Sequence, residues 1–380
     1  MTDAQLIETL HRPGPWTSAY VDGPGPVPQV EEESYRRSVR ERLVEAGAPE
    51  ADAVVVEEAL IERTGLPSPS SRVLLVRDGE VVVDRSFAGA RLGPECLEHG
   101  PLPAVLPLLR HATAERYLVV ETSRDGADIR LETAGRGSSE AQSSVEGRTD
   151  TLNKAQAGGW AHANFHRHTE DIWKHTQSEV AQAVGALIRD RHPSFVVVSG
   201  DIRARQLLGE ALSDAERALV VEVDAHTRAE GSDTTELDHA IARTIHEHRT
   251  EAIRALRDRA AADGGSGGAD GLDAVIDAVQ QARVDTLLLD ARMLDDDATL
   301  LALDGPPWVA RDESERLAAE VVGAVGVAEA LARAALLTDA RVLVEEEEYA
   351  ADDAPRDERP VRQPLAALRW ADAKGDDDEY

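Results

Sequence analysis

The sequence predicts a mixed α/β protein of three domains. Two Asp-Gly pairs, Asp78-Gly79 and Asp125-Gly126, each stand between two apolar runs, a strong signal for a β-hairpin. Further along, strand-length apolar runs alternate with helical patterns, as in an α/β unit with a parallel component. A Gly/Ser-rich segment at 263–271 predicts a flexible linker. We therefore expect domains at 1–112, 113–262 and 263–380.

The first domain is expected to be a small α+β unit. A Pro/Gly-rich loop precedes a charged helical run that ends near Gly47. A second helix is predicted over Val54–Thr64. The first hairpin follows within RVLLVRDGEVVVDRSF.

The middle domain opens with the second hairpin, whose strands are Tyr117–Glu121 and Asp128–Leu131. Residues 135–153 are polar and rich in Gly and Ser, which predicts an exposed loop. Apolar residues at three- and four-residue spacing predict a helix over Ala161–Arg191, and Pro193 stops it.

Two buried strands, a short helix and a long helix should complete the middle domain. SFVVVSG is a continuous apolar run of strand length, ALVVEVDA is a second predicted buried strand, and DIRARQLLGEAL between them has a helical pattern. The long helix is predicted over Thr234–Ala262.

The third domain repeats the alternation of helices and strands. The predicted elements are helix Leu272–Ala282, strand Thr286–Asp290, helices near Asp312–Gly323 and over Val327–Leu337, and strand Arg341–Glu345. The acidic run at 345–360 predicts a solvated loop.

Composition limits the compartment and the partners. The start of the chain shows no secretory signal, and the longest apolar stretch, Val321–Leu337, carries Glu329 and Arg333 within a pattern that predicts a packed helix rather than a membrane span. A single cysteine, Cys96, excludes an intrachain disulfide and fits a reducing cytoplasm. We expect a cytoplasmic monomer with no membrane partner.

The formal net charge is −31, with three lysines among 41 basic residues, which argues against a nucleic-acid partner at low salt. A high-GC genome or a salt-rich cytoplasm would each explain this composition. In molar salt the Debye length is about 3 Å, so the repulsion would mostly vanish.

One segment departs from the acidic character. Between Asp150 and Arg205 the chain has seven basic residues, six acidic residues and five histidines. The glycine pair Gly158-Gly159 opens directly into the predicted long helix, where unpaired N–H groups can bind a phosphate. We predict an RNA-binding surface made of Lys154, Gly158, Gly159, Trp160, His162, Asn164, His166, Arg167 and Lys174.

The sequence gives only weak signals for a metal site, a catalytic motif or a ligand site. His162 and His166 at i and i+4 could ligate a metal, but no third ligand has a usual spacing, so we expect neither metal nor cofactor. There is no Walker loop, no GxGxxG after a predicted strand, and no GxSxG elbow between a predicted strand and helix. Ser199-Gly200-Asp201 ends a buried strand, where either a ligand site or an aspartate helix cap is possible.

GGWAHANFHRHTEDIWKHTQSEVAQAV resembles the stretch after the Gly-Gly-Gln tripeptide of archaeal and eukaryotic class I release factors, which belong to one superfamily with Pelota. FVVVSGDIRARQLLGEAL, VVEVDA and GLDAVIDAVQQARVDTLLL extend the resemblance over roughly residues 115 to 370. It implies a middle domain like RNase H and a third domain like ribosomal proteins that bind kinked RNA.

The resemblance is greatest to bacterial-type relatives of these factors, and it implies binding at the A site of the ribosome, against large-subunit rRNA. It also implies a role in ribosome hibernation or rescue. A translation GTPase such as elongation factor Tu is a further candidate partner.

Two departures from the family pattern bear on activity. Trp160 stands where the family has its catalytic glutamine, and the NIKS and YxCxxxF elements that recognise stop codons are missing. We therefore expect a non-catalytic ribosome-binding factor with no catalytic residue. The alternatives are a peptidyl-tRNA hydrolase that uses backbone N–H groups with His162 or His166, and a metal-dependent phosphoesterase.

Overall fold

The computed structural model describes residues 3–12, 14–23, 28–66, 68–111, 115–135, 139–146, 159–225, 234–295, 298–346 and 362–370. Helices and four sheets fill these ranges, so the mixed α/β class is confirmed. The chain divides into two compact units, one made of 1–113 with 249–380 and the other of 114–248.

The first part of the chain contains helix α1 (Asp3–Leu10), strand β1 (Trp16–Asp22), helices α2 (Gln29–Glu45) and α3 (Glu50–Ala59), strands β2 (Ser70–Arg77), β3 (Glu80–Ala88) and β4 (Cys96–Gly100), and helix α4 (Leu106–His111). The strands form an antiparallel sheet in the order β3-β2-β1-β4. Helices α2 and α3 pack on one face, where Leu43 and Val56 are buried with Leu74.

The first hairpin is confirmed. Strands β2 and β3 pair on either side of Asp78-Gly79, whose φ angles of 53° and 76° are both positive, as a tight two-residue turn requires. Helix α3 starts earlier than predicted, because Pro49 directly precedes it with a φ of −57° and fixes its start.

The middle unit contains β5 (Arg116–Ser123), β6 (Gly126–Thr133), β7 (Ser139–Glu146), α5 (Gly159–Arg191), β8 (Phe195–Gly200), α6 (Ile202–Ala211), α7 (Asp214–Arg217), β9 (Val220–Glu222) and the first part of α8 (Thr235–Ala261). Its sheet has the order β7-β6-β5-β8-β9; the first three strands are antiparallel and the last three parallel. Helices α5 and α6 cover one face and α8 the other. This is the RNase H-like architecture that the resemblance implies.

The last part of the chain contains β10 (Gly268–Asp270), α9 (Leu272–Gln280), β11 (Val284–Asp290), β12 (Thr299–Leu303), β13 (Val309–Ala310), β14 (Val321–Gly326), α10 (Val327–Leu337), β15 (Arg341–Glu345) and β16 (Leu365–Leu368). A mixed sheet in the order β10-β16-β11-β15 lies between α9 and α10 on one face and the end of α8 on the other. A small antiparallel sheet has the order β13-β12-β14.

Three predictions of local structure were wrong. Residues 139–146 are a strand rather than a loop, because they pair with β6, and Ala141 and Val145 pack against the core of this unit. Residues near 312–323 form a short 3₁₀ turn and the start of β14 instead of a helix. The apolar stretch that begins at Val321 is therefore strand first, and only α10 is helical.

The glycine-rich segment at 263–271 is not simply a linker, since it contains a 3₁₀ turn and β10. A Cβ on Gly268 would lie 2.5 Å from the Cβ of Ala260, so glycine here allows close packing on α8. The acidic run also begins inside the protein: Glu345 and Glu346 are 8% and 7% exposed and pair with arginines. Within the described ranges, no helix is both long and apolar enough to cross a membrane.

Candidate functional site

Helix α5 carries most of the predicted RNA-binding residues. It begins at Gly159 and continues for 33 residues, as the apolar spacing predicts. Lys154 and Gly158 lie outside the described residues. The backbone of α5 is described throughout, but the side chains before Glu170 are not, so Lys174 is the one predicted contact residue whose exposed side chain is described.

The helical repeat separates the predicted residues into two faces. At about 100° per residue, Trp160, Asn164, Arg167 and Lys174 fall within a stripe about 80° wide. His162 and His166 fall on the opposite side, in line with the buried Val180 and Val184. The structure thus places Trp160 in line with the exposed Lys174 and does not place the two histidines there.

The base of α5 is fixed to the sheet by a buried glutamine. The Gln177 side chain is fully buried; its Oε1 accepts a hydrogen bond of 2.9 Å from Thr122 Oγ1, and its Nε2 donates one of 2.8 Å to the Ser123 carbonyl. Both polar groups of the amide are therefore satisfied, as burial demands. Because Thr122 and Ser123 end β5, these two hydrogen bonds fix the position of α5 relative to this edge of the sheet.

Three more side chains join the same edge. The Arg124 guanidinium lies over the Trp173 ring, 4.6 Å from its centre, and its Nε donates to the Asp201 carboxylate at 3.1 Å. We call Arg124, Trp173, Gln177 and Asp201 the anchor cluster. It joins the β5–β6 turn, α5 and the end of β8.

The sequence allowed two roles for Asp201, a helix cap or part of a ligand site. In the structure Asp201 is a helix cap. Its side chain accepts from the backbone N–H groups of Arg203 and Ala204, at 2.9 and 3.1 Å, at the start of α6. Partial burial opposes ionisation, but the Ala204 N–H and the Arg124 guanidinium outweigh it and hold the pKa of Asp201 below its ordinary value. The carboxylate is therefore ionised at neutral pH.

A second ion pair ties α5 to α6, between Arg203 and Glu170. The hydrogen bond and the charge of Arg203 lower the pKa of Glu170. Glu170 is therefore held in an ion pair with Arg203. Among the described residues, no group of three His, Cys, Asp or Glu side chains is placed to hold a metal ion.

The anchor cluster fixes α5, which we call the lever, to the sheet. With a rise of 1.5 Å per residue, Trp160 lies about 24 Å along the helix axis from Thr176, the first side chain of α5 described as buried. Sequence reasoning missed Gln177 and Arg124. The signal for Gln177 was a polar residue on the apolar face, between Trp173 and Val180, which has to be hydrogen-bonded if buried.

Comparison with known proteins finds a family that is similar to the middle unit. Residues 116–266 match the family model for bacterial archaeo-eukaryotic release factor family 2. The uncharacterized protein Rv2629 of Mycobacterium tuberculosis is 24% identical over 283 residues, which cover 73% of this chain and 75% of that protein.

Two solved structures show weaker likeness. Dom34 of S. cerevisiae, described as a translation termination-like factor that interacts with Hbs1, has 12% identity and a TM-score of 0.39, with 82% of each chain covered. Pelota of Archaeoglobus fulgidus has 16% identity and a TM-score of 0.35, with 79% of each chain covered.

The match over 116–266 includes all of α5, the anchor cluster and the segment that holds Gly158 and Gly159. Over these residues, about two fifths of the chain, the protein is similar to bacterial archaeo-eukaryotic release factor family 2.

Proposed function

We propose that this protein is a non-catalytic ribosome-binding factor, in which the Gly159–Trp160 end of α5 enters the A site and contacts large-subunit rRNA. The observation that carries the proposal is the family match over 116–266, which spans the whole lever and the anchor cluster at its base. We further propose a role in hibernation or rescue and, as a second partner, a translation GTPase such as elongation factor Tu.

The lever geometry supports the proposal. Helix α5 is about 50 Å long, and Gln177, which fixes it to the sheet, lies about 26 Å along its axis from Trp160. The Trp160, Asn164, Arg167 and Lys174 stripe combines a ring, an amide and two positive charges, the groups that contact bases and phosphates. Cosedimentation of the protein with 70S ribosomes from growing and starved cells tests the proposal. A protein that stays ribosome-free at every salt concentration near that of its own cytoplasm would overturn it.

The Lys174→Glu variant should bind ribosomes roughly two- to tenfold more weakly, because one exposed charge contact is worth up to about 1 kcal/mol and reversal turns attraction into repulsion. The matched control is Arg191→Glu, the same charge change at the far end of α5, about 26 Å away along the axis. Cosedimentation in a salt series measures both. Equal weakening by the two variants would indicate a general charge effect instead of a contact.

Purified protein should not release peptide from ribosomes loaded with peptidyl-tRNA. An indole has one N–H donor and no acceptor, whereas an amide has both, and placing a water molecule for attack needs paired polar contacts. Release of labelled peptide is the measurement. Release that survives substitution of Trp160 but disappears in His162→Ala would instead establish the hydrolase.

A further inference from the structure

A cavity of about 570 Å³ lies inside the unit formed by residues 1–113 and 249–380, far in sequence from the lever. Strand β4 forms one wall, and the end of β14 with the start of α10 forms another. Both strands are edge strands of their sheets. Edge strands carry unpaired backbone N–H and C=O groups, which can pair with an added strand. The volume is within the range of ligand-binding clefts.

The two walls converge at one end of the cavity. A Cβ on Gly323 of β14 would lie 2.6 Å from the Pro101 side chain, so the backbone of β14 touches the chain just after β4. Away from this contact, Cys96–Gly100 and Ala324–Gly326 line the open space. The result is a groove that follows the edge of β4.

Two carboxyl groups, Glu98 and Glu329, line this groove. Glu329 accepts the backbone N–H groups of Val105 and Leu106 before and at the start of α4. Within the described part of the chain, neither carboxyl group is paired with an arginine or lysine. The groove therefore holds two acidic groups without a cation.

The cations nearest to these groups are already engaged. Arg110 lines the same groove, but Glu346 binds its guanidinium at 2.9 and 2.5 Å. A third carboxylate of the lining, Glu95, is paired with Arg42. A positive charge that enters the groove would meet Glu98 and Glu329 without having to displace an existing ion pair.

The present surroundings disfavour ionisation of both groups. Burial raises the pKa of Glu329 to about 8, more than the two backbone N–H groups lower it, and the charge of Glu98 adds to the rise. Partial desolvation by the groove also raises the pKa of Glu98, although its side chain remains exposed to solvent. Two carboxyl groups in a partly enclosed space are stabilised by an opposite charge between them.

We propose that this groove binds an extended segment of a partner protein that carries arginine or lysine, adding as a strand to the edge of β4 and placing its cationic group between Glu98 and Glu329. Strand edges supply main-chain hydrogen bonds, and side-chain pockets supply the choice of residue. The site is separate from the proposed ribosome contacts of α5, so either proposal can fail alone.

Binding of a fluorescein-labelled acetyl-Val-Arg-Val-Arg-Val-amide peptide to the full chain, followed by fluorescence anisotropy, tests this proposal. Glu98→Gln and Glu329→Gln should each weaken binding by about tenfold or more, since each removes one charge-assisted contact. In the Glu329→Gln variant the new amide oxygen still accepts from the Val105 N–H, and circular dichroism checks the fold. The matched control, Glu95→Gln, should change the affinity less than about twofold, because Arg42 already occupies that carboxylate.

Two peptide controls separate strand addition from simple capture of a cation. A peptide with glutamate for arginine should not bind. A peptide N-methylated at alternate residues, which cannot donate to a strand edge, should bind about tenfold more weakly or worse. Equal affinity of the methylated peptide or of arginine amide would overturn strand addition. The proposed partner would be overturned if the wild-type protein did not bind the peptide, or if the Gln variants bound it as tightly as wild type. It would also be overturned if sedimentation velocity showed a dimer of this chain that the peptide dissociates, because a second copy would then occupy the groove.

The affinity should rise as the pH passes through the Glu329 pKa of about 8, because Glu329 then loses its proton and attracts the cation, and the raised pKa of Glu98 acts in the same direction. The other titratable and charged groups that line the groove are Tyr20, Glu95, Cys96, His99 and Arg110. The dependence should disappear in the Glu98→Gln, Glu329→Gln double variant. A pH dependence that the double variant retains would contradict the assignment of the cation to this pair.

Discussion

Replacing Trp160 with alanine should weaken ribosome binding by about 5- to 150-fold. Stacking of a base on an aromatic ring is worth about 1 to 3 kcal/mol, and 1.4 kcal/mol corresponds to a tenfold change in affinity. The residue is the second of α5, and the helix places it in line with the exposed Lys174. Equilibrium binding to purified ribosomes at fixed salt is the measurement.

Two further substitutions at Trp160 distinguish stacking from other roles. Phenylalanine should restore much of the affinity, because stacking needs only a ring face, whereas glutamine should restore little although it rebuilds the tripeptide of the release factors. The alternative is that the indole folds back toward Asn164, one turn along the helix, and covers apolar surface. Equal affinity of wild type and the alanine variant, both fully folded, would favour that alternative.

Gly200→Ala should destabilise the protein by about 2 to 4 kcal/mol, one of the largest stability losses that a single methyl group can cause here. Gly200 ends β8 with a φ of 114°, which disfavours any residue with a side chain. An added Cβ would lie 1.8 Å from the carbonyl oxygen of Thr122, so the parallel strands β5 and β8 would have to separate. Urea denaturation of the full chain, followed by circular dichroism, measures the loss.

Gly209→Ala is the matched control, nine residues further on in α6. A Cβ there would meet no atom within 4 Å, and alanine in a helix interior is favoured over glycine by about 0.5 to 1 kcal/mol. The variant should therefore be as stable as wild type or slightly more so. A Gly200→Ala protein as stable as the Gly209→Ala protein would contradict the steric argument.

Local patterns predicted the elements whose signals lie within a few residues. Both Asp-Gly hairpins, the long helix α5 and the helix α8 were predicted because turn chemistry and apolar spacing are properties of neighbouring residues. The third-domain helix α10 and strands β11 and β15 were also found, with small shifts at their ends.

The elements that were missed depend on distant partners. Strand β7 is stabilised by pairing with β6, and β14 by pairing with β12, although neither has a strong apolar alternation of its own. In the anchor cluster, Gln177 gains its role from the end of β5, more than 50 residues away in sequence. Trp160, by contrast, was identified from the sequence, but its part in ribosome binding stays a prediction.

The division of the chain also sets an order of events during synthesis. Leu10 and Val105 are fully buried in a core completed by Leu331 and its neighbours on α10, so Leu331 emerges from the ribosome roughly 230 residues after Val105 and roughly 320 after Leu10. At about 5 to 20 residues per second, these delays amount to roughly 11 to 64 s. The strands and helices of 114–248 follow one another without such a gap, so this unit can fold first. Newly made protein should therefore acquire its lever while its opening segment still exposes apolar side chains that need protection from aggregation.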